Sequence, residues 1–370
     1  MIRYIDCSIK DYIERKNVDT IYCFGASPVL DRIENNAKFS DFIKDKNIQI
    51  VDSNPQKQGT QIMFLGRSHT INSPEILKKN DGEILITAGL RHYKSIIEKL
   101  DGMDLSMECY YASLIFSYGG YSDTSEVECA MDSHTTEKIP RIIHSFWFSN
   151  EKKPEIYQKC IDSWRKYCPD YKIIEWNCDN YDINQNLFMK QAFECRKWAF
   201  VSDVARLDVV YRYGGIYLDM DVELINSIDK MLGFDAFFAM DNCDKIDLGS
   251  GFGAVKGNQL VKKMLEEYDG IPFVNENGEM DIEPQPMRLM KYFVQRGVNE
   301  AGDSQVIDNM AVLSNEYFTS IMDGGDDRFW SGRELAIHWH NAGWLSEEMQ
   351  TDKQKSREYR NELRKIFKRM

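Results

Sequence analysis

Two aspartates one residue apart, Asp219 and Asp221, close the short apolar run Ile216-Tyr217-Leu218. A run this short and apolar reads as a buried strand, and a buried strand does not carry two carboxylates at its tip without a partner, because unpaired buried charge is costly. A divalent cation is the most economical partner, and bridging to phosphates is the most common use of one. A second pair, Asp203 and Arg206, is spaced by three and so shares one face of the preceding helix, where it can hold a polar ligand.

The elements that position these groups are legible around them. Phe200, Val204, Leu207 and Tyr211 recur at helical period. Gly214 and Gly215 then stop the helix, since glycine tolerates the left-handed backbone of a helix C-terminus. The order is helix, glycine stop, buried strand, acids.

This layout, SD-x-x-R followed by GG-x-Y-x-D-x-D, resembles the DxD-containing sugar-binding-region glycosyltransferases. That family (family 32-like) includes yeast initiation-specific α-1,6-mannosyltransferases and bacterial capsular polysaccharide enzymes, and the glucosylating clostridial toxins share the pattern. The resemblance implies an α/β fold with a GT-A type nucleotide-sugar-binding domain and the DxD at the end of a central strand. It implies a retaining transferase that uses Mn2+ or Mg2+ and a nucleotide-diphosphate sugar. Asp203, Arg206, Asp219 and Asp221 are then the catalytic group, with Tyr217 beside them at the donor.

The resemblance adds four flanking positions. Trp147, in IPRIIHSFWF, matches the tryptophan that stacks on the donor base, a contact worth on the order of 1–3 kcal/mol. Gly249, Ser250 and Gly251 are candidate sugar contacts, although glycines in a strand equally mark a bulge. In AIHWHNAGW, His338 and Trp344 match a histidine six residues before a tryptophan, with Gly343 in place of the usual serine. His338 would complete the metal site with Asp219 and Asp221, and Trp344 would donate to a phosphate. His340, two residues on, shares the face of His338 if the strand continues, so it competes for the same role. Glu283-Pro284-Gln285-Pro286 stands where relatives carry a Gly-Pro pair, and no role transfers to it. His144 reads as strand packing and His134 as solvated.

Length and charge bound the rest. The chain of 370 residues, 43% hydrophobic and 28% charged, accommodates two ordinary globular domains. Its net charge of −13 disfavours nucleic acid as a partner. Nine scattered cysteines with no CxxC pair read as reduced thiols rather than a disulfide or zinc framework. The charged N-terminus carries no secretory h-region, and no apolar run reaches membrane-spanning length, so the expectation is a bacterial cytoplasmic enzyme.

Strand and helix signals alternate over residues 1–116: a strand at 19–25, one at 48–51 ending on Asp52, and one at 83–87. They predict a smaller Rossmann-like α/β module. Asp52 invites a dinucleotide reading, but Gly25-Ala26-Ser27-Pro28 lacks the triple-glycine fingerprint. Residues 117–138 read as a polar linker, 139–345 as the glycosyltransferase domain, and 346–370 as a basic amphipathic helix. Tyr359, Leu363, Ile366, Phe367 and Met370 form its apolar stripe, which serves either packing on its own domain or docking on an anionic membrane.

The reading of function is a metal-dependent retaining glycosyltransferase acting on a surface-glycan or lipid-linked glycan acceptor, such as capsule or O-antigen. A nucleotide-sugar hydrolase and a non-catalytic glycan- or nucleotide-binding protein are the alternatives.

Overall fold

The computed structural model describes residues 1–14, 18–116, 122–149, 151–241, 245–299, 302–320, 331–340 and 347–369. It divides into two compact units, one built from Met1–Tyr121 with Glu347–Met370 and the other from Ser122–Gly325 with Trp330–Ser346.

In the first unit, six parallel strands form one sheet in the order Lys368–Arg369, Arg3–Asp6, Glu108–Tyr111, Glu83–Ile86, Thr20–Phe24, Asn47–Val51. The interior strands Thr20–Phe24 and Glu83–Ile86 are buried along their whole length, as parallel strands covered on both faces must be. Strand order reverses between Thr20–Phe24 and Glu83–Ile86, the place where open α/β sheets receive ligands. There the turns after the two strands approach each other closely. Gly25 adopts φ +122°, and a Cβ on it would lie 2.8 Å from Ala88. Asp52, the acid at the end of the second strand, accepts from the Ala26 N–H (3.0 Å) and lies 3.2 Å from the Lys57 ammonium. Its partners are internal, which removes the sequence argument for a ribose there.

The C-terminal segment belongs to this unit. Helix Glu347–Ile366 buries Leu363, and the Phe367 ring packs edge-on against Tyr4 at 5.1 Å. Lys368–Arg369 then pairs with Arg3–Asp6. Of the stripe anticipated on this helix, Leu363 and Phe367 lie in a hydrophobic core with Tyr359 and Ile366 packed against it, so Leu363 and Phe367 are not available to a membrane surface; Met370 lies outside the described residues. Among the described residues no helix is long and apolar enough to cross a membrane.

The second unit is organised on a seven-stranded mixed sheet: Gln305–Ile307, Met310–Leu313, Ala236–Ala239, Phe252–Ala254, Gly215–Tyr217, Ile142–Phe146, Lys172–Trp176. Phe252–Ala254 and Gln305–Ile307 run against the other strands. A smaller three-stranded sheet joins Val222–Leu224, Ala336–His338 and Phe318–Ser320. The stretch expected as a linker contains a helix, Ser125–Ser133, whose Val127 and Met131 are buried in this unit's core. Its polar composition hid two apolar residues spaced by four, which suffice to dock one helical turn. His134, at the end of that helix, packs edge-on against Phe234 at 4.4 Å instead of standing in solvent.

The central helix starts at Trp198 and ends at Tyr213, on the predicted glycine stop. Gly214 and Gly215 have φ +69° and +104°. A Cβ on Gly215 would meet the Ile142 carbonyl at 2.7 Å, so close strand approach as well as backbone hand requires glycine. The Gly214 carbonyl is anchored by His144, a packing residue as expected. His144 Nε2 lies 2.8 Å from that carbonyl, and the Trp176 indole N–H points at His144 Nδ1 across 3.1 Å. A carbonyl only accepts and an indole N–H only donates, so the ring is neutral with its proton on Nε2. Burial holds its pKa down at about 4.

Two measurements test this account. Phe367→Ala should cost the first unit roughly 3–5 kcal/mol in urea unfolding, as large-to-small core changes do; a loss below about 1 kcal/mol would mean that the tail is not part of the core. For His144, the unfolded chain binds a proton that the native ring refuses between pH 6.5 and about 4. Stability of the second unit should therefore fall as pH is lowered through that window, by up to about 3 kcal/mol. His144→Phe should flatten the slope, read from Trp fluorescence in denaturant titrations at each pH.

Candidate active site

The strands Gly215–Tyr217 and Ile142–Phe146 run parallel, with Tyr217 opposite His144. Asp219 and Trp147 therefore leave the sheet at the same edge. Beyond Asp221 the chain enters the smaller sheet, where Val222 pairs with His338 in antiparallel register. That register brings a residue 117 positions later in the chain against the second aspartate (221 to 338). His338 Nε2 lies 3.3 Å from Asp221 Oδ1.

Four acids meet at this edge. Asp203 and Asp219 flank Arg206, whose Nη2 is 3.3 Å from Asp203 Oδ1 and 3.5 Å from Asp219 Oδ1. The guanidinium also lies 4.8 Å from the centre of the Tyr217 ring, and the Tyr217 hydroxyl donates to Asp219 Oδ1 at 2.5 Å. Asp221 faces His338, and Asp247 completes the group on the other side of that imidazole, with Oδ2 3.5 Å from His338 Nδ1. The Asp219 side chain keeps 29 % of its surface exposed against 11 % for Asp221, so the cluster opens to solvent at Asp219.

The ionisation of the cluster follows from burial against charge. Burial raises Asp203 to about 6, although Arg206 opposes it, and burial likewise raises Asp219. Asp247 is held below the usual carboxylate range: burial works against ionisation, but the neighbouring His338 and the hydroxyl of Ser250 outweigh it. Burial would lower the His338 imidazolium, yet the carboxylates of Asp221 and Asp247 hold it up at about 10. A site that pulls one histidine into the cationic form carries surplus negative charge. Asp219, Asp221 and His338 offer ligand atoms within 4.8 Å of one another, as do Asp247, His338 and His340. Two carboxylates and an imidazole can hold a divalent cation, and the donor set fits the one that the sequence called for.

Other expected residues fall differently. Gly249-Ser250 forms a turn before the strand, which starts only at Phe252. A Cβ on Gly249 would be 2.6 Å from Asp219 Oδ2, and one on Gly251 would be 2.6 Å from the Phe318 ring. Both glycines thus have packing reasons to be glycine. Ser250 is fully buried, and its hydroxyl donates to Asp247 Oδ2 at 2.5 Å. Tyr217 is buried as well, with its hydroxyl engaged by Asp219. Trp147 is half-buried, edge-on to Tyr157 at 5.3 Å, and its indole N–H donates to the Glu151 carbonyl. The strand carrying His338 ends there, and His340 follows with φ +44°, so alternation does not place it. Its ring nevertheless stacks on His338, centroids 3.7 Å apart. Trp344 lies outside the described residues.

Sequence reasoning missed Asp247, although an acid between the buried apolar residues Ile246 and Leu248 was a readable signal. It also passed over Gln285, a buried residue whose amide donates to the Asp203 carbonyl at 2.7 Å.

Residues 154–238 match the family described as "Glycosyltransferase sugar-binding region containing DXD motif". That segment is a DXD glycosyltransferase region. It contains Asp203, Arg206, Asp219 and Asp221. The chain is 30% identical over 112 residues to inositol phosphoceramide mannosyltransferase 1 of Schizosaccharomyces pombe, spanning 27% of this chain and 34% of that protein. It is 31% identical over 148 residues to inositol phosphoceramide mannosyltransferase 3 of the same yeast, spanning 38% and 40%. The chain thus spans well under half the length of these relatives. Among solved structures, the PaToxG glycosyltransferase aligns over 46% of this chain and 73% of its own, at 18% identity and a TM-score of 0.35.

Arg206 is the counter-ion for two buried acids of this region. Arg206→Ala should destabilise the second unit by roughly 3–5 kcal/mol, because it leaves buried carboxylates uncompensated. A thermal melt within 1 °C of the parent would show that the pairs contribute nothing.

Proposed function

We propose that the protein is a metal-dependent retaining glycosyltransferase that moves a sugar from a nucleotide-diphosphate sugar to a hydroxyl of a glycan or glycolipid acceptor. The observation that carries this reading is the convergence of Asp219, Asp221 and His338 within 4.8 Å, beside the buried Asp203/Arg206 pair, at one edge of the sheet. Inside a DXD glycosyltransferase region, such a group fits a diphosphate-bridging cation.

A cation bound by Asp219, Asp221 and His338 would neutralise the charge that develops on the leaving nucleoside diphosphate. The chain's own residues supply the rest. Arg206 fixes Asp203 and Asp219 from behind, so both carboxylates are oriented before a donor arrives. Trp147, at the same edge, offers an indole to the base. Retention is carried by the family resemblance, and a front-face displacement assisted by the leaving diphosphate needs no covalent nucleophile. The names of the relatives point to mannose as the first donor sugar and to a lipid-borne acceptor headgroup. A surface glycan such as capsule or O-antigen is the other acceptor of matching chemistry.

Purified protein incubated with GDP-mannose and other GDP-, UDP- and CDP-sugars, with Mn2+ or with EDTA, tests the reading. Expected is turnover of one donor that requires the metal, reduced on the order of 100-fold or more in Asp221→Asn with the fold intact. Absence of metal-dependent turnover or binding across the panel would remove the transferase assignment. Donor cleavage to free sugar, unaltered by any glycan or glycolipid, would reassign the site to a hydrolase.

A further inference from the structure

Asp247 stands outside the Asp219, Asp221 and His338 ligand set, yet both of its carboxylate oxygens are held by hydrogen bonds. Its Oδ1 accepts the Gly249 N–H at 3.0 Å, its Oδ2 accepts the Ser250 hydroxyl at 2.5 Å, and Ser250 Oγ stands 2.8 Å from His338 Nδ1. The direction of these bonds matters more than their number. An ionised carboxylate only accepts, so the single hydroxyl hydrogen of Ser250 is directed at Asp247. The oxygen of Ser250 then offers His338 a lone pair, and His338 must present N–H at Nδ1. Nε2 is then the nitrogen that faces Asp221, 3.3 Å away.

We infer that Asp247 is a positioning residue that acts through Ser250 to hold the His338 proton on Nδ1 and so makes Nε2 the nitrogen that ligates the cation. The inference rests on the metal-dependent reading above and assigns Ser250 to this relay rather than to the sugar. Metal-bound histidines ordinarily have their second nitrogen fixed by such a partner, and losing the partner weakens metal binding about 10- to 100-fold. Here the partner is two bonds deep and is supplied by a turn more than 80 residues away in the chain, 88 between Ser250 and His338.

Asp247→Asn separates this role from a merely structural one. The asparagine oxygen can keep the Gly249 N–H, so the turn survives, but its NH2 must then point at Ser250 Oγ. Ser250 turns its hydrogen toward His338 Nδ1, and the imidazole proton moves to Nε2, where it blocks ligation. Mn2+ titration followed by EPR, with pulsed EPR to detect a coordinated histidine nitrogen, reads the outcome without any turnover. The parent protein should bind Mn2+ with a histidine nitrogen signal. Asp247→Asn should bind about 10- to 100-fold more weakly and lose that signal, Ser250→Ala should behave likewise, and Ser250→Thr, which keeps the hydroxyl, should retain both. Circular dichroism and melting of each variant establish that the fold persists. Mn2+ binding by Asp247→Asn within twofold of the parent, with the nitrogen signal intact, would overturn the inference. So would a parent whose bound Mn2+ shows no histidine nitrogen; the donor panel would then still decide the transferase reading by itself.

Discussion

Excess negative charge at one sheet edge is the constraint on which the second unit turns. Asp203, Asp219, Asp221 and Asp247 gather there against the guanidinium of Arg206 and the imidazole of His338. Like charges brought out of water together raise one another's cost, and the cluster persists only where fixed partners or a bound cation offset it. Each surrounding feature answers that need. Arg206 is buried and its Nε–H donates to the Ser202 carbonyl one turn back at 3.1 Å, so its position is set within its own helix. Tyr217 donates its hydroxyl to Asp219 from within the core. Gly249 has no Cβ, and a Cβ there would collide with Asp219.

The same constraint explains why two sheets are needed. The large sheet delivers Asp219 at the end of its Gly215–Tyr217 strand, while the small sheet takes Val222–Leu224 and lays Ala336–His338 beside it. The chain switches sheets between Leu218 and Val222, and the DxD is that switch. Residues confined to one ladder alternate faces and have their neighbours prescribed; residues at a crossover can turn their side chains into one shared space.

The first unit obeys a different logic. Its parallel strands are covered on both faces, and the chain's last residues complete it by adding a strand and the apolar edge of the final helix. A basic amphipathic segment is the same in sequence whether it lies on lipid or on its own protein. Leu363 and Phe367 are fully buried, which decides between the two. Asp52 is a similar case: an acid at the end of a second strand suggests a ribose until Lys57 and the Ala26 N–H are found on it.

Local chemistry determined a good deal by itself. The Asp203/Arg206 spacing, the glycine stop at Gly214-Gly215 and the acids after a three-residue apolar run are set by helix period, backbone permissiveness and the cost of buried charge. All three act within about twenty residues, and the structure has each in place. The partners of the acids were decided only by tertiary structure. Val222 and His338 meet through a strand register between segments more than a hundred residues apart, a pairing that no local period encodes. Asp247 joined the cluster because a turn before Phe252 folded back over Asp219. His340 reached His338 through a left-handed backbone rather than through the strand alternation expected of it. Sequence names the groups that need partners; long-range pairing and close packing choose which partners they receive.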